Sequence, residues 1–270
     1  MINVSIVIYN NSKEDMRTVI GCIARSHAAS VYVVDNSPSD RLKEFTEKLS
    51  RKVIYIHRQQ NIGYGAAHNI AIKKSIEQGA KYHLVLNPDV EFEQGVVEKL
   101  VEFMDNNPEV GLVMPKVLYP DGSIQYLCKL LPTPSDLIFR RFFSFISRTK
   151  EEKYELRTMD YKQEHFGVPS LSGCFMLFRT AVLEKIAGFD ERYFLYMEDV
   201  DLCRRLHRVS HTAFYPAVSI VHHYAKGSYK NYRLLQYHVC AAVKYFNKWG
   251  WFFDKERRII NKRALKATLK

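Results

Sequence analysis

Apolar and polar positions in the first 115 residues alternate between two periods. Short, continuous apolar runs are typical of strands that are buried on both faces. They occupy 4–10, 31–37, 53–57, 82–87 and 110–115. Segments with helical spacing lie between them, at 13–25, 39–50, 65–78 and 94–106. This alternation predicts an α/β fold with a mostly parallel sheet covered by helices on both faces.

The pattern changes in the second half of the chain. Segment 137–150 is rich in Phe and Arg, and on a helix its apolar and basic residues fall on opposite faces. Such a helix either packs on the core or lies at a membrane interface. Later segments predict a strand at 173–179, a helix at 180–187, a strand at 212–223 and a helix at 231–249.

Polar residues follow four strands of the first half, at the edge where parallel α/β sheets bind ligands. They include Tyr9 and Asn10, Asp35 and Asn36, Asn61 and Gly63, and Asn87 and Asp89. One such strand end is an ordinary turn, whereas four together predict a binding site.

Several of these residues suit a nucleotide. Asp35 could accept a hydrogen bond from a base N–H, or it could form a local Asx turn. Gly63 and Gly65 allow close backbone approach beside a helix N-terminus, where phosphate or ribose is favoured. The dinucleotide fingerprint G-x-G-x-x-G/A fails because His68 occupies its last position, and no P-loop motif occurs.

Asp89 ends a strand in the stretch "LVLNPDV", which is either a turn or a metal corner. A carboxylate there could hold Mg²⁺ or Mn²⁺, which prefer oxygen ligands and bridge phosphates. His222 ends the strand "AVSIV", and its role is either structural or that of a second ligand.

A second group of acids lies in "YMEDVDLCRR". Carboxylates favour the first turn of a helix, and Asp201 can pair with Arg205 four residues later. Helix-start chemistry explains Glu198 and Asp199 less well, because they follow an aromatic run. Aromatic surroundings can raise a carboxyl pKa towards that of a useful general base.

The net charge of the chain indicates what kind of partner it binds. The chain carries +11 and has a pI near 9.3, which indicates an anionic partner. Residues 255–270 hold seven basic residues and one acidic residue. This stretch is interpreted as a solvated tail or as a contact with an anionic membrane surface, rather than as a nucleic-acid arm.

Cysteine usage and hydropathy indicate the compartment. Five scattered cysteines suggest neither a zinc site nor a disulfide framework, so we expect reduced, mostly buried thiols. Neither a signal peptide nor an apolar stretch long enough to span a bilayer is recognised. We therefore expect a cytoplasmic protein.

Taken together, these motifs resemble those of family 2 glycosyltransferases with the GT-A fold, in the rhamnosyltransferase-like branch of bacterial polysaccharide and O-antigen biosynthesis. The similar segments run in order from residue 4 to about 228. They are "VSIVIYN", "VVDNS", "NIGYGAAHNIAIK", "LVLNPDV", "LSGCFMLFRTAVLEKIAGFDERYFLYMEDVDLCRRL" and "VHHYAKGS".

The resemblance implies a role for each matching residue. Asp35 would contact the base, and Asp199 would be the catalytic base. Asn87–Asp89 would occupy the place of the family's D-x-D, with Asn87 replacing its first acid, as is usual in this branch. Asp89 and His222 would hold a divalent cation, Mg²⁺ or Mn²⁺. The remaining nucleotide-sugar residues would be Tyr9, Asn10, Asn36, Asn61 and Gly63, and Glu198, Gly173 and Tyr196 would line the acceptor side.

The same resemblance implies an inverting transfer from a dTDP- or UDP-linked sugar to a glycan or lipid-linked glycan. Residues 1–115 would form the nucleotide-sugar half of one domain, and 116–230 its acceptor half. Residues 231–270 would form a helix and a basic tail that holds the enzyme on the inner face of the plasma membrane.

Two rival functions account for less of the sequence. A nucleotidyltransferase would need a Gly-rich basic loop after the first strand, where this chain has "YNNSKEDM". A non-catalytic glycan- or nucleotide-binding module would leave the acid cluster 198–201 unexplained.

Overall fold

The computed structural model describes residues 1–137, 148–223 and 232–267. The helices are α1 (Lys13–Ala24), α2 (Lys43–Leu49), α3 (Tyr64–Glu77), α4 (Val96–Asn106), α5 (Arg148–Tyr154), α6 (Thr180–Lys185), α7 (Glu198–Leu206), α8 (Tyr232–Trp249) and α9 (Lys255–Ala267). The strands are β1 (Ile2–Ile8), β2 (Ala28–Asp35), β3 (Val53–His57), β4 (Tyr82–Leu86), β5 (Val90–Glu91), β6 (Val110–Leu118), β7 (Cys128–Lys129), β8 (His165–Phe166), β9 (Ser170–Leu171), β10 (Phe175–Arg179) and β11 (His211–His222).

The central sheet has the strand order β3-β2-β1-β4-β10-β6-β11-β5, with β8 added beside β11. The first four strands pair in parallel. Strand β10 runs antiparallel between β4 and β6, and β11 is parallel to β6. The predicted mostly parallel α/β sheet is confirmed.

Burial explains why the first-half strands read as continuous apolar runs. Every residue of β1 and β4 is buried, because helices cover both faces of the sheet. The first helix begins where Ser12 caps it and Asp15 completes the capping box.

Several predicted elements are shifted. The helix predicted at 39–50 begins only at Lys43. The strand predicted at 173–179 begins at Phe175, because the Gly173 N–H bonds to a carboxylate outside the sheet. For the Phe/Arg segment 137–150, residues 138–147 lie outside the described part, so the choice between core and interfacial packing stays open.

The C-terminal segment corrects one expectation. Residues 255–267 form helix α9 instead of a solvated tail, and its residues Arg257 and Ala264 are buried. The Asn261 side chain pairs with both backbone polar groups of Leu131, accepting from its N–H and donating to its carbonyl, each at 2.9 Å. The sequence pattern missed this helix because its outer face is almost entirely basic.

All five cysteines are free, and four of them are buried, as expected. Among the described helices, none combines the length and the apolar character that a bilayer crossing requires.

Candidate active site

The ends of β1 and β2 lie side by side. The backbone N–H of Asn10 donates to Ser37 Oγ at 2.8 Å, and Asn10 itself has a left-handed backbone with φ of 56°. Tyr9 and Asn10 are exposed, so both side chains face the solvent beyond the sheet edge.

Asp35 is buried, and both of its carboxylate oxygens are used within the protein. One oxygen accepts from the Ser37 N–H at 2.8 Å, which is the Asx turn weighed from the sequence. The other accepts from the Tyr55 hydroxyl, whose pKa is raised by burial and by this carboxylate. A nucleotide base could contact Asp35 only through a remaining lone pair.

Gly63 is packed against the protein's own backbone. It has φ of 93°, and a Cβ there would lie 2.5 Å from the carbonyl oxygen of Phe194. The Gly63 carbonyl accepts from Asn36 Nδ2 at 3.1 Å, and its N–H donates to Asn61 Oδ1 at 3.0 Å. Glycine is therefore required for loop packing, which differs from the ligand approach inferred from the sequence.

Gly65 is also packed against the protein itself. A Cβ at this position would lie 2.8 Å from Phe189 Cβ, so the close approach is again made by the protein. The first N–H of α3, from Tyr64, donates to the Phe194 carbonyl at 2.9 Å. One of the backbone N–H groups at the start of α3 is thus already hydrogen-bonded within the protein.

Tyr64 connects the two halves of the site, a role that the sequence reasoning missed. Its hydroxyl lies 2.7 Å from the carbonyl oxygen of Gly173 and 3.0 Å from Asn87 Oδ1, and its single proton can serve either acceptor. Burial raises the Tyr64 pKa well above its usual value, and the charges of Glu198, Asp199 and Asp89 raise it further. Acids that are distant in sequence therefore act electrostatically on one hydroxyl group.

Asp199 is oriented by two backbone donors. Its Oδ2 accepts from the Gly173 N–H at 3.0 Å, and its Oδ1 accepts from the Val200 N–H at 2.8 Å. Loss of hydration raises its pKa, although these two bonds and the charge of Lys129 oppose the shift. A fixed carboxylate with a raised pKa suits a general base.

Glu198 has a different environment. It is buried, and its Oε2 receives no hydrogen bond from the part of the chain that the structure describes. Burial raises its pKa well above the usual value, and the neighbouring charge of Asp199 adds to the shift. The protonated form of Glu198 is therefore favoured beside an ionisable Asp199.

The backbone before these acids is strained. Tyr196 and Met197 have φ of 72° and 67°, in the left-handed region that side chains other than glycine rarely adopt. Each such residue costs of order 1–3 kcal/mol, and such strain is concentrated at functional sites. This turn is what places Glu198 and Asp199 at the very start of α7.

Asp89 and His222 are brought together by the short pairing of β5 with β11, in which Val90 lies opposite His222. Asp89 Oδ1 lies 3.4 Å from His222 Nε2. That oxygen is buried and receives no hydrogen bond from the described residues. An unsatisfied carboxylate oxygen beside an imidazole nitrogen fits two ligands of one hard divalent cation.

Asn87 is held apart from this pair. Its backbone N–H donates to the Cys174 carbonyl at 2.9 Å, and its side-chain oxygen faces Tyr64. Within residues 1–137, 148–223 and 232–267, no group of three or more His, Cys, Asp or Glu side chains is arranged for a metal. Asp89 and His222 could therefore supply only part of a coordination shell.

Comparison with known proteins gives a consistent result. The sequence pattern described as "Glycosyl transferase family 2" matches residues 4–187. N-acetylglucosaminyl-diphospho-decaprenol L-rhamnosyltransferase of Mycobacterium tuberculosis is 29% identical over 217 residues, which cover 75% of this chain and 69% of that protein.

Two solved structures share the fold. Mannosyltransferase PcManGT from Pyrobaculum calidifontis, in complex with GDP-Man and Mn²⁺, aligns with a TM-score of 0.59 at 14% identity, over 99% of this chain and 72% of that one. GalNAc-T7 with UDP, GalNAc and Mn²⁺ aligns with a TM-score of 0.61 at 14% identity over 83% of this chain, which spans only 43% of that structure.

The predicted GT-A architecture is thereby confirmed. The family match extends over more than half of the chain, from the first strand to the end of α6. The chain belongs to glycosyl transferase family 2.

Proposed function

We propose that the protein transfers a hexose, such as rhamnose, from a dTDP- or UDP-linked donor to a hydroxyl group of a glycan, with inversion. The observation that carries this proposal is the environment of Asp199. Its carboxylate is fixed by two backbone N–H groups, has a raised pKa and lies close to Tyr64 at the strand ends.

In the proposed reaction, Asp199 removes the proton of the acceptor hydroxyl. The new bond joins that oxygen to the anomeric carbon, and the bond to the nucleoside diphosphate breaks on the opposite face. Each oxygen of Asp199 keeps a lone pair for the incoming proton, since one backbone N–H occupies only one acceptor position. A general base of this kind contributes roughly 10²–10⁴-fold to the rate.

Asp89 and His222 would hold a divalent cation, Mg²⁺ or Mn²⁺. The unsatisfied Oδ1 of Asp89 and its 3.4 Å separation from His222 Nε2 support this assignment. Such an ion neutralises negative charge on a departing diphosphate. With two protein ligands, the remaining coordination positions would be filled by donor oxygens and water.

We also propose that the acceptor is lipid-linked and that the enzyme works at the inner face of an anionic membrane. The decaprenol-linked acceptor in the name of the mycobacterial relative supports the first part. A surface at the C-terminus supports the second. We call this surface the C-terminal elbow, meaning residues 251–254 between α8 and α9 together with the exposed face of α9.

The C-terminal elbow combines exposed aromatic and basic side chains. Phe252 and Phe253 are 70% and 91% exposed, which is unusual for residues with no polar group. Four of the five exposed cations in the described part of α9 lie on one helical face, opposite the buried Arg257 and Ala264. They are Lys255, Arg258, Lys262 and Lys266. Apolar rings beside clustered cations suit an anionic bilayer surface.

The reaction is tested by incubating the purified protein with UDP-, dTDP- and GDP-sugars, with and without Mn²⁺, and an acceptor glycan. Glycosyl transfer predicts release of the nucleoside diphosphate. Pyrophosphate release from a nucleoside triphosphate and a sugar phosphate would instead indicate a nucleotidyltransferase. Binding of a donor without turnover in any combination would indicate a binding module and overturn the proposal.

A further inference from the structure

Gln125 lies behind His222, on the side away from Asp89, and neither the sequence motifs nor the family match assigns it a role. It is 3% exposed and follows the end of β6 by seven residues, in a stretch whose chain doubles back against that strand. Its own N–H donates to the Val117 carbonyl at 2.9 Å, which fixes its backbone. A buried side-chain amide in this position must use its donor and acceptor groups.

The orientation of the Gln125 amide is determined by its neighbours. Its nitrogen donates to the carbonyl oxygen of His222 at 2.7 Å and to that of Leu118 at 3.2 Å. Carbonyl oxygens only accept hydrogen bonds, so the amide NH₂ group must face them. The amide oxygen therefore faces the other way, where it lies 3.0 Å from His222 Nδ1.

This orientation determines the tautomer of His222. An amide oxygen only accepts, so His222 Nδ1 must carry a proton and donate to it. In the neutral ring, Nε2 then carries a lone pair. That nitrogen lies 3.4 Å from Asp89 Oδ1, which is buried and receives no hydrogen bond from the described residues. Two acceptor atoms facing each other repel unless a positive charge lies between them.

We propose that Gln125 is a positioning residue that holds His222 as the Nδ1–H tautomer, so that Nε2 and Asp89 together face a divalent cation. This inference rests on the proposed function for the identity of the site, but the tautomer is a property of the protein alone. Histidines that bind metals usually donate their other N–H to an outer partner, and loss of that partner typically lowers metal affinity about 10–100-fold.

The test uses Gln125→Met, which keeps the length of the side chain and removes both hydrogen bonds to His222. The ring is observed by ¹⁵N NMR of histidine-labelled protein at pH 8, with His222→Gln used to assign its signals. Wild-type protein should show the Nδ1–H tautomer, and Gln125→Met should show a mixture of both tautomers. A merely structural role for Gln125 would change the thermal stability without changing the tautomer.

Affinity for Mn²⁺ in the presence of UDP, measured by electron paramagnetic resonance, gives the second readout. Gln125→Met should weaken it about 10–100-fold. Gln78→Met is the matched control, because Gln78 accepts a bond from Asn3 at the far end of α3 and should leave the affinity unchanged. The affinity should fall much further in His222→Gln than in the control.

The possible outcomes separate this inference from the proposed function. An Nε2–H tautomer in the wild type, an unchanged tautomer in Gln125→Met, or an unchanged Mn²⁺ affinity would overturn the inference. If the tautomer and the affinity change as expected but no donor is turned over, the inference stands and the proposed transferase reaction fails.

Discussion

At the scale of single residues, Glu198 and Asp199 are adjacent carboxylates with different partners. Two backbone N–H groups orient Asp199, while Glu198 Oε2 is buried and receives no hydrogen bond from any described residue. Two adjacent carboxylates repel each other when both are ionised, so their pKa values differ. One carboxyl therefore stays protonated more readily than the other. The environment of Asp199 thus supports its proposed role as the base, while burial raises the pKa of Glu198 well above its usual value.

The raised pKa of Glu198 predicts a pH-dependent stability. A carboxyl whose folded pKa lies above its unfolded value stabilises the fold at low pH, and this contribution is lost as pH rises through the folded pKa. Glu198→Gln should therefore match the wild type near pH 4 and exceed it by about 1 kcal/mol or more at pH 8, since a pKa raised by one unit corresponds to about 1.4 kcal/mol. Urea unfolding of both proteins at pH 4 and pH 8 measures this difference in the free energy of unfolding.

The control for that prediction is Glu77→Gln, since Glu77 is exposed at the end of α3. It should shift the free energy of unfolding equally little at both pH values. A stability difference for Glu198→Gln that does not change between pH 4 and pH 8 would show that the Glu198 pKa is not raised.

Tyr64→Phe removes the hydroxyl that lies against the Gly173 carbonyl and Asn87 Oδ1. Loss of this hydrogen bond should lower the free energy of unfolding by roughly 0.5–1.5 kcal/mol. It also frees Gly173, whose N–H orients Asp199, so kcat should fall about 10-fold or more. Urea unfolding and steady-state kinetics measure the two effects, and an unchanged kcat would mean that Tyr64 does not position the base.

At the scale of elements, helix α7 has two sets of polar partners. Its first residues face the candidate site, while Asp201 and Arg204 bind the C-terminal helices. Asp201 is fully buried and accepts from Lys248 Nζ at 2.6 Å and from Trp249 Nε1 at 2.7 Å. The Arg204 side chain is paired with Asp254 at 2.6 Å. Helices α8 and α9 thus hold the helix that carries Asp199.

Arg204→Met should destabilise the protein by about 3–5 kcal/mol, because it leaves the buried Asp254 carboxylate without its closest cation. Asp254→Asn in the same chain should recover part of this loss, so the double variant should cost less than the sum of the single variants. Urea unfolding of the wild type, the two single variants and the double variant gives the coupling free energy between the two residues. Strict additivity would mean that the ion pair does not hold α7 to the C-terminal segment.

The sequence predicted some of the contacts between these helices and strands. The pair of Asp201 with Arg205 was predicted from a spacing of four residues and is confirmed at 2.7 Å. The partners Lys248 and Trp249 could not be predicted, because helical periodicity gives only neighbours on one helix. The antiparallel insertion of β10 between β4 and β6 was also missed, since strand order depends on long-range packing.

At the scale of the whole molecule, the predicted site rests on the rule that ligands bind beyond the carboxyl ends of parallel strands more than on any single residue. Tyr64 joins the end of β4 to Gly173, whose N–H orients Asp199, so this strand end and the distant acid cluster meet at one edge of the sheet. At Gly63 and Gly65 atoms of the protein itself occupy the space of a Cβ, so packing alone requires glycine there, and the approach of a ligand stays a prediction. A sequence shows that a position needs glycine but not what approaches it.

The C-terminal elbow predicts membrane binding that is independent of catalysis. The double variant Phe252→Ser/Phe253→Ser should bind vesicles containing anionic lipid at least about 10-fold more weakly than the wild type, since burying each ring contributes about 1.5–3 kcal/mol. Turnover with a soluble acceptor should not change. Vesicle co-sedimentation measures binding, and added salt should weaken it by screening the α9 cations.

Phe166→Ser is the matched control, because Phe166 is a partly exposed phenylalanine on β8, away from the C-terminal elbow. It should bind vesicles as the wild type does. Equal binding by the double variant, or equal binding to neutral vesicles, would rule out the elbow as the membrane contact. Binding of nucleic acid in place of vesicles would assign its charge to a different partner.

The central claim is that Asp199 acts as the base in transfer of a sugar from a nucleotide donor bound at the strand ends. The most direct measurement compares Asp199→Asn with the wild type for donor binding by calorimetry and for nucleoside diphosphate release in the presence of acceptor. The account predicts wild-type donor affinity and a rate roughly 10²–10⁴-fold lower. Turnover by Asp199→Asn close to the wild-type rate would contradict it.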